Sequence, residues 1–219
     1  MRALLTGGTG KLGAALAERL RGAGWSVVAT GRSDGDVSRP DEARALVERA
    51  AAELGGLDVL VNGAGGGFTP RPVAEVSESD WDEAFGATAK GSFFVTQAAA
   101  PHLAASGGVV IMLEDVAGLQ PWQSFAPHSA AKAAQSMLTK VLARALAPAV
   151  RVCGIAPGPV AVDSGSEDRR ASETLLGRVG SPDDIAGAIL YLAGAEFVTG
   201  TTLVVDGGRL LQTGRAPDA

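Results

Sequence analysis

The stretch Thr6-Gly-Gly-Thr-Gly-Lys-Leu-Gly13 restricts the possible folds of this chain more than any other. It follows the apolar run Ala3-Leu4-Leu5 and leads into Leu12 to Arg21, where Leu12, Leu16 and Leu20 recur at helical spacing. Gly22 and Gly24 end that helix, and Ser26-Val-Val-Ala-Thr30 reads as a second strand closed by Gly31-Arg32. Strand, glycine turn, helix and strand within about 30 residues make a βαβ unit, whose strands run parallel. A parallel sheet is covered on both faces, so helices must follow on either side.

The remaining chain keeps the alternation. Pro40 opens a helix, Asp41 to Leu54, with Ala43, Leu46, Val47, Ala50 and Leu54 inward. Leu57-Asp-Val-Leu-Val61 is a buried strand ending at Asn62-Gly-Ala-Gly65, and Gly66-Gly67 continue into a loop. Ser77-Glu-Ser-Asp80 has the form of a capping box for helical stretches reaching about Ala105. Val109 to Leu113 is apolar at every position, as a doubly covered strand should be. A helix over Pro127 to Leu146 comes next, then a strand over Val150 to Ile155 that ends at Pro157-Gly-Pro159. Ser181-Pro-Asp-Asp184 starts another helix, and Thr202 to Asp206 is the last strand. The polar piece Ser33 to Arg39 leaves room for a strand stub at Asp36-Val37 at most. Asp163 to Ser172 has the composition of a lid, and residues 215–219 read as a frayed tail. With neither repeat nor linker, residues 1–219 are expected to form one doubly wound α/β domain, a three-layer αβα sandwich.

Composition narrows the function classes. The chain is 46% hydrophobic and 20% charged, which suits a globular domain, and its net charge of −5 argues against nucleic acid and anionic membranes as partners. No stretch is apolar enough to span a bilayer, and the N-terminus is too short for a signal-peptide core, so a soluble cytoplasmic protein is expected. Cys153, the single cysteine, lies in an apolar run, excludes an internal disulfide and should be a core thiol.

Right-handed crossovers gather ligands at the carboxyl ends of the strands. Those ends carry the glycine loop, Arg32, Asn62, Asp115 and Pro157. Backbone N–H groups at a helix N-terminus hold phosphate, and glycines allow a pyrophosphate to approach. Arg32 stands where an acidic residue would grip the ribose hydroxyls of NAD, and its planar fork suits a 2′-phosphate instead. Lys11 could add a second positive charge. NADP(H) is therefore the first expectation and NAD(H) the second, against the alternative of two solvated surface cations. His128 and Lys132 lie four apart on the helix that follows Asp115, so both can address one point.

These pieces resemble the short-chain dehydrogenases/reductases from Arg2 to about Leu211. The likeness rests on Thr6 to Gly13, Leu57-Asp-Val-Leu-Val-Asn-Gly-Ala-Gly65, Ile155-Ala-Pro-Gly-Pro-Val160, Gly177-Arg-Val-Gly-Ser-Pro-Asp-Asp-Ile-Ala186 and Val198-Thr-Gly-Thr-Thr-Leu-Val-Val-Asp-Gly-Gly208. It implies a Rossmann-type fold and a nicotinamide cofactor held by Gly7, Thr9, Lys11, Leu12, Gly13 and Arg32. It also implies that Asp36 and Val37 flank the adenine and that Asn62 and Ala64 line its ribose. Pro157, Gly158 and Val160 would sit by the nicotinamide, and Lys132 would serve both cofactor and catalysis. Relatives assemble into dimers or tetramers through two long central helices, which the alanine-rich stretch Ala130 to Ala147 would allow.

The departures fall on the catalytic groups. The family uses Asn, Ser, Tyr and Lys. By resemblance Thr88 stands for the Asn, Asp115 for the Ser and His128 for the Tyr, thirteen residues after Asp115, and only Lys132 remains. Val162 replaces the Thr that holds the carboxamide, and Lys11 takes the place of a loop glycine. A basic loop residue and an Asp at the Ser position also occur in pteridine reductases, which keep the Tyr. A lysine cation near His128 disfavours imidazolium, whereas the Asp115 carboxylate favours it and would make His128 a usable acid. The three groups would titrate as one set. The expectation is an Asp115–His128–Lys132 site reducing a carbonyl, imine or pterin-like compound with NADPH. The alternative is a cofactor-binding, catalytically silent homologue acting as a regulatory or partner subunit. His102 reads as a surface helix cap, Glu114 and Asp115 lack further ligands for a metal, and Trp122 and Phe125 form either a stacking surface or a hydrophobic rim.

Overall fold

A computed structural model gives the fold, with residues 1–162 and 170–212 described. Six parallel strands form one sheet: β1 (Arg2–Thr6), β2 (Ser26–Thr30), β3 (Val59–Asn62), β4 (Val109–Leu113), β5 (Arg151–Pro157) and β6 (Thr202–Val205). Their order is β2-β1-β3-β4-β5-β6, so the chain reverses direction across the sheet between β1 and β3. Crossovers are made by α1 (Lys11–Gly22), α2 (Pro40–Leu54), α3 (Glu78–Phe85) with α4 (Ser92–Ala104), α5 (Ala126–Leu146) and α6 (Pro182–Gly194).

Strand alternation sorts the core into two layers. Ala3, Leu5, Val59, Val61, Ile111, Cys153 and Ile155 face α1 and α6, meeting Leu16, Leu20, Ile185 and Ile189. Leu4, Leu60, Val110, Met112 and Val152 face α2, α4 and α5, meeting Leu46, Val47, Val95, Ala99 and Leu142. The capping boxes at Ser77/Asp80 and Ser181/Asp184 are both formed. Cys153 is fully buried, and no described helix is long and apolar enough to cross a membrane. His102 sits on the surface of α4, but its ring reaches Glu48 of α2 at 3.2 Å instead of capping its own helix.

The strand stub expected at Asp36-Val37 does not form. Arg32–Asp34 make a single 3₁₀ turn, and β2 is left as the sheet edge. Local bonds replace ladder bonds there: the Asp36 N–H donates to Glu42 Oε2, and the Ser38 N–H donates to Asp36 Oδ1. Val37 turns inward against the α2 layer, so the short crossing still covers the core. The lid expected over Asp163 to Ser172 falls largely on residues 163–169, which lie outside the described residues, as does the tail 215–219.

Candidate functional site

The carboxyl ends of the strands open on a cleft of about 720 Å³. Its floor is backbone. Gly7 has φ +70°, and a Cβ there would lie 2.5 Å from the Gly63 carbonyl oxygen. A Cβ on Gly13 would lie 2.2 Å from the Gly7 oxygen, so the loop closes only with glycine at both places. The N-cap of α1 is Gly10, which has no side chain to cap the helix. Gly7, Thr9, Lys11, Leu12, Gly13, Arg32, Asp36, Val37, Ala64 and Val160 all line this cleft, along with Val162. The Asp36 carboxyl is held below its ordinary range, first by hydrogen bonds from Ser38 and then by Arg32 and Arg39.

Four expected cofactor residues are placed elsewhere. Asn62 does not line the cleft: its buried amide donates to Thr96 Oγ1 at 2.9 Å. The reason is parity, since Asn62 shares a strand face with Leu60 and so points at α4. Pro157 is buried at the end of β5, and Gly158 lines a neighbouring cavity. Lys132 is buried, and its ammonium donates to the Leu113 carbonyl at 2.6 Å and to Gln135 Oε1 at 3.1 Å. Burial lowers its pKa to about 8, against the pull of Asp115 and Glu114. The β4 carbonyl takes the Lys132 ammonium inward, while the Asp115 carboxylate acts on it by charge and stands 3.6 Å from His128.

His128 lies in an aromatic nest. Its ring centroid is 5.0 Å from that of Phe68 and 6.5 Å from that of Trp122, and neither ring nitrogen has a hydrogen-bond partner among the described residues. Asp115 Oδ2 stands 3.6 Å from Nε2, too far for a hydrogen bond. The other oxygen, Asp115 Oδ1, accepts the Ala117 N–H at 2.8 Å and fixes the carboxylate at the start of a 3₁₀ turn. Asp115 also faces a second cavity, of about 500 Å³, lined by Phe68, Trp122, Phe125, Val160, Arg170 and Arg209 among others. His128 belongs to the lining of neither cavity; it sits behind Asp115 and the Phe68 ring. Phe68 and Val160 border both spaces.

A buried polar network beside this site was missed by the sequence reading. The Glu114 carboxylate accepts from Ser136 Oγ and Thr139 Oγ1, both at 2.6 Å, and from Thr202 Oγ1 at 3.0 Å. Gln135 Nε2 donates to Ser92 Oγ at 2.9 Å. Its signal lies in α5: Lys132, Gln135, Ser136 and Thr139 fall at helical spacing on the inward face.

The chain matches the family profile described as enoyl-(acyl carrier protein) reductase over residues 29–209. It is 36% identical to 4-formylbenzenesulfonate dehydrogenase of Comamonas testosteroni, with 94% of this chain and 96% of that protein aligned. The chain belongs to the short-chain dehydrogenase/reductase family. Among solved members, 3-ketoacyl-(acyl-carrier-protein) reductase from Brucella melitensis complexed with NADH superposes with a TM-score of 0.86 at 29% identity, covering 94% of this chain and 97% of that one. ElxO with NADP bound gives 0.87 at 25% identity, covering 96% and 98%. In this member of the family Thr88 is buried in a π-helical turn, Gly86–Gly91, with its hydroxyl unpartnered, and Val162 is partly exposed at the cleft wall.

Proposed function

We propose that this chain is an NADP(H)-preferring oxidoreductase that reduces a carbonyl or imine, with Asp115 and His128 handling the proton. The observation that carries the reading is the backbone-floored cleft, where any Cβ at Gly7 or Gly13 would collide with main chain. A dinucleotide fits such a site: phosphates need close-lying N–H groups, and the uncapped α1 N-terminus supplies them. Gly7, Thr9, Lys11, Leu12 and Gly13 would hold the pyrophosphate, and Arg32 the 2′-phosphate, with Asp36 and Val37 beside the adenine. Ala64 would meet the ribose, and Gly158 and Val160 the nicotinamide end. Arg32 is exposed on the cleft wall, where a guanidinium can take phosphate in a paired hydrogen bond.

When bound, the reduced nicotinamide supplies a hydride to the substrate carbon. The protein supplies the proton. Asp115 meets the cavity and His128 stands behind it: the carboxylate favours imidazolium at His128, whose proton would reach the developing oxyanion through a bridging water and leave neutral imidazole. Lys132, charged up to about pH 8, adds positive potential from behind without touching the substrate. The proposal includes a homodimer or homotetramer packed through α4 and α5, whose exposed Met137 and Val141 favour a covered face. Carbonyl and pterin-like compounds remain the substrate classes.

A second reading, a homologue that binds cofactor without turnover, is favoured by one observation: the Lys132 ammonium is already engaged by Leu113 and Gln135. Calorimetric titration with NADPH and NADH tests the shared premise. NADPH should bind at least tenfold more tightly, and Arg32→Ala should cancel that preference, since a charged hydrogen-bonded contact contributes about 1.5–3 kcal/mol. Absence of binding by either nucleotide removes both readings.

A further inference from the structure

The second cavity carries more chemistry than proton transfer requires. One wall is aromatic: Phe68 stacks on Phe125 with centroids 4.8 Å apart and planes 25° apart, and meets Trp122 edge-on at 6.2 Å. Phe68 is 60% exposed, and it follows three consecutive glycines, Gly65 to Gly67. Its phenyl ring thus shows what a benzene ring does here: it lies flat on Phe125 and turns its edge to His128. Arg170 and Arg209 stand beside this aromatic wall, and the carboxylates of Asp115 and Glu173 line the same space. The Arg209 guanidinium carbon lies 5.2 Å from the Trp122 ring centroid, while the group also pairs with Glu173. Arg170 borders the same space, and its Nη2 donates to the Val160 carbonyl at 3.3 Å. Burial pulls Arg209 below the ordinary arginine range, Asp115 opposes this and Arg170 reinforces it. The buried indole N–H of Trp122 has no acceptor among the described residues.

These features ask for one kind of ligand. A flat ring exchanges one stacking contact for another when it displaces or joins Phe68. An anion would take its hydrogen bonds from Arg170 and would meet Arg209 beside its Glu173 partner. We propose that the cavity selects an aromatic carbonyl compound bearing an anionic group, with the ring against Phe68, Trp122 and Phe125 and the anion at Arg170 and Arg209. This rests on the reductase reading for the carbonyl; the ring and anion subsites stand on the cavity alone.

The test separates the two. Calorimetry on the protein, with and without NADPH, would compare 4-(hydroxymethyl)benzoate with benzyl alcohol and with 4-(hydroxymethyl)cyclohexanecarboxylate. The benzoate should bind at least tenfold more tightly than either, and Arg170→Ala and Arg209→Gln should each lose about tenfold for the benzoate and nothing for benzyl alcohol. Because Arg209 also holds Glu173, Arg170→Ala is the variant that leaves that pair intact. Equal binding of benzoate and benzyl alcohol, a charge preference that survives both variants, equal binding of the cyclohexane acid, or no binding of any probe would each overturn the proposal. Turnover of benzaldehyde and 4-carboxybenzaldehyde at equal kcat/KM would do so too, while leaving the reductase reading in place. Selective benzoate binding without any NADPH oxidation would support the subsite and remove the reductase reading.

Discussion

Glu114 and Asp115 are adjacent carboxylates at the end of β4, yet their surroundings are opposite. Glu114 points into the protein and receives three hydroxyl hydrogen bonds from α5 and β6. Gly154 is shaped to admit it, for a Cβ there would lie 2.0 Å from Glu114 Oε1. Asp115 points towards the cavity, takes one backbone N–H, and faces an imidazole with no hydrogen-bond partner among the described residues. Buried polar groups are nearly always paired, so a cluster of unpaired ones marks a place where something else completes the site. One carboxylate ties the sheet to α5; its neighbour is left able to act.

The largest expected effect breaks the satisfied side. Glu114→Ala opens a void and removes the acceptor of three hydroxyls, leaving Ser136 and Thr139 only their longer bonds to the Lys132 and Gln135 carbonyls, which should destabilise folding by about 3 kcal/mol. Urea unfolding would read this, and Glu114→Gln, which keeps volume and hydrogen bonding, should cost about 1 kcal/mol. An Ala variant as stable as the parent would mean that this network does not hold β4 to α5.

On the other side stability should hardly move while chemistry does. Asp115→Asn can still accept the Ala117 N–H, so unfolding should shift by less than about 0.5 kcal/mol. Losing the carboxylate that favours imidazolium at His128 should lower kcat for NADPH-dependent carbonyl reduction by about a hundredfold or more. Equal loss of stability and rate would erase the contrast between the two carboxylates.

How far this contrast could be read from residues alone depended on which physics set each position. The glycine loop, the strands from Val109 to Leu113 and Ser26 to Thr30, and both capping boxes follow from local chemistry and were legible. Asp115 near His128 was legible too, through the family resemblance. The absent strand at Asp36-Val37 was not, because side-chain bonds from Glu42 and Asp36 there outweigh the pairing that pattern suggests. Nor was the inward turn of Lys132, which a β4 carbonyl decides, or the cover that Phe68 lays over His128 from a loop sixty residues away in sequence. Local pattern fixes elements, while the aim of a long side chain is set by partners that meet only in the folded state.

Lys132 sharpens the comparison with the smallest effect, because it belongs to the satisfied network and yet carries a desolvated charge. Its native pKa is lowered from 10.5 to about 8 by burial. The unfolded chain therefore holds this proton more tightly than the native one between about pH 8 and 10.5, so folding gains stability as pH rises through that window. The slope from this one group is at most about 1.4 kcal/mol per pH unit, and near pH 8 it is about half of that. Other groups titrate as well, so the quantity to measure is the difference in slope between the parent and Lys132→Met. The parent should gain about 1 kcal/mol more than the variant between pH 8 and 9, in urea unfolding at fixed ionic strength. Parallel pH profiles would place the native lysine pKa near its unfolded value, and the buried ammonium would then be as well satisfied as the Glu114 carboxylate beside it.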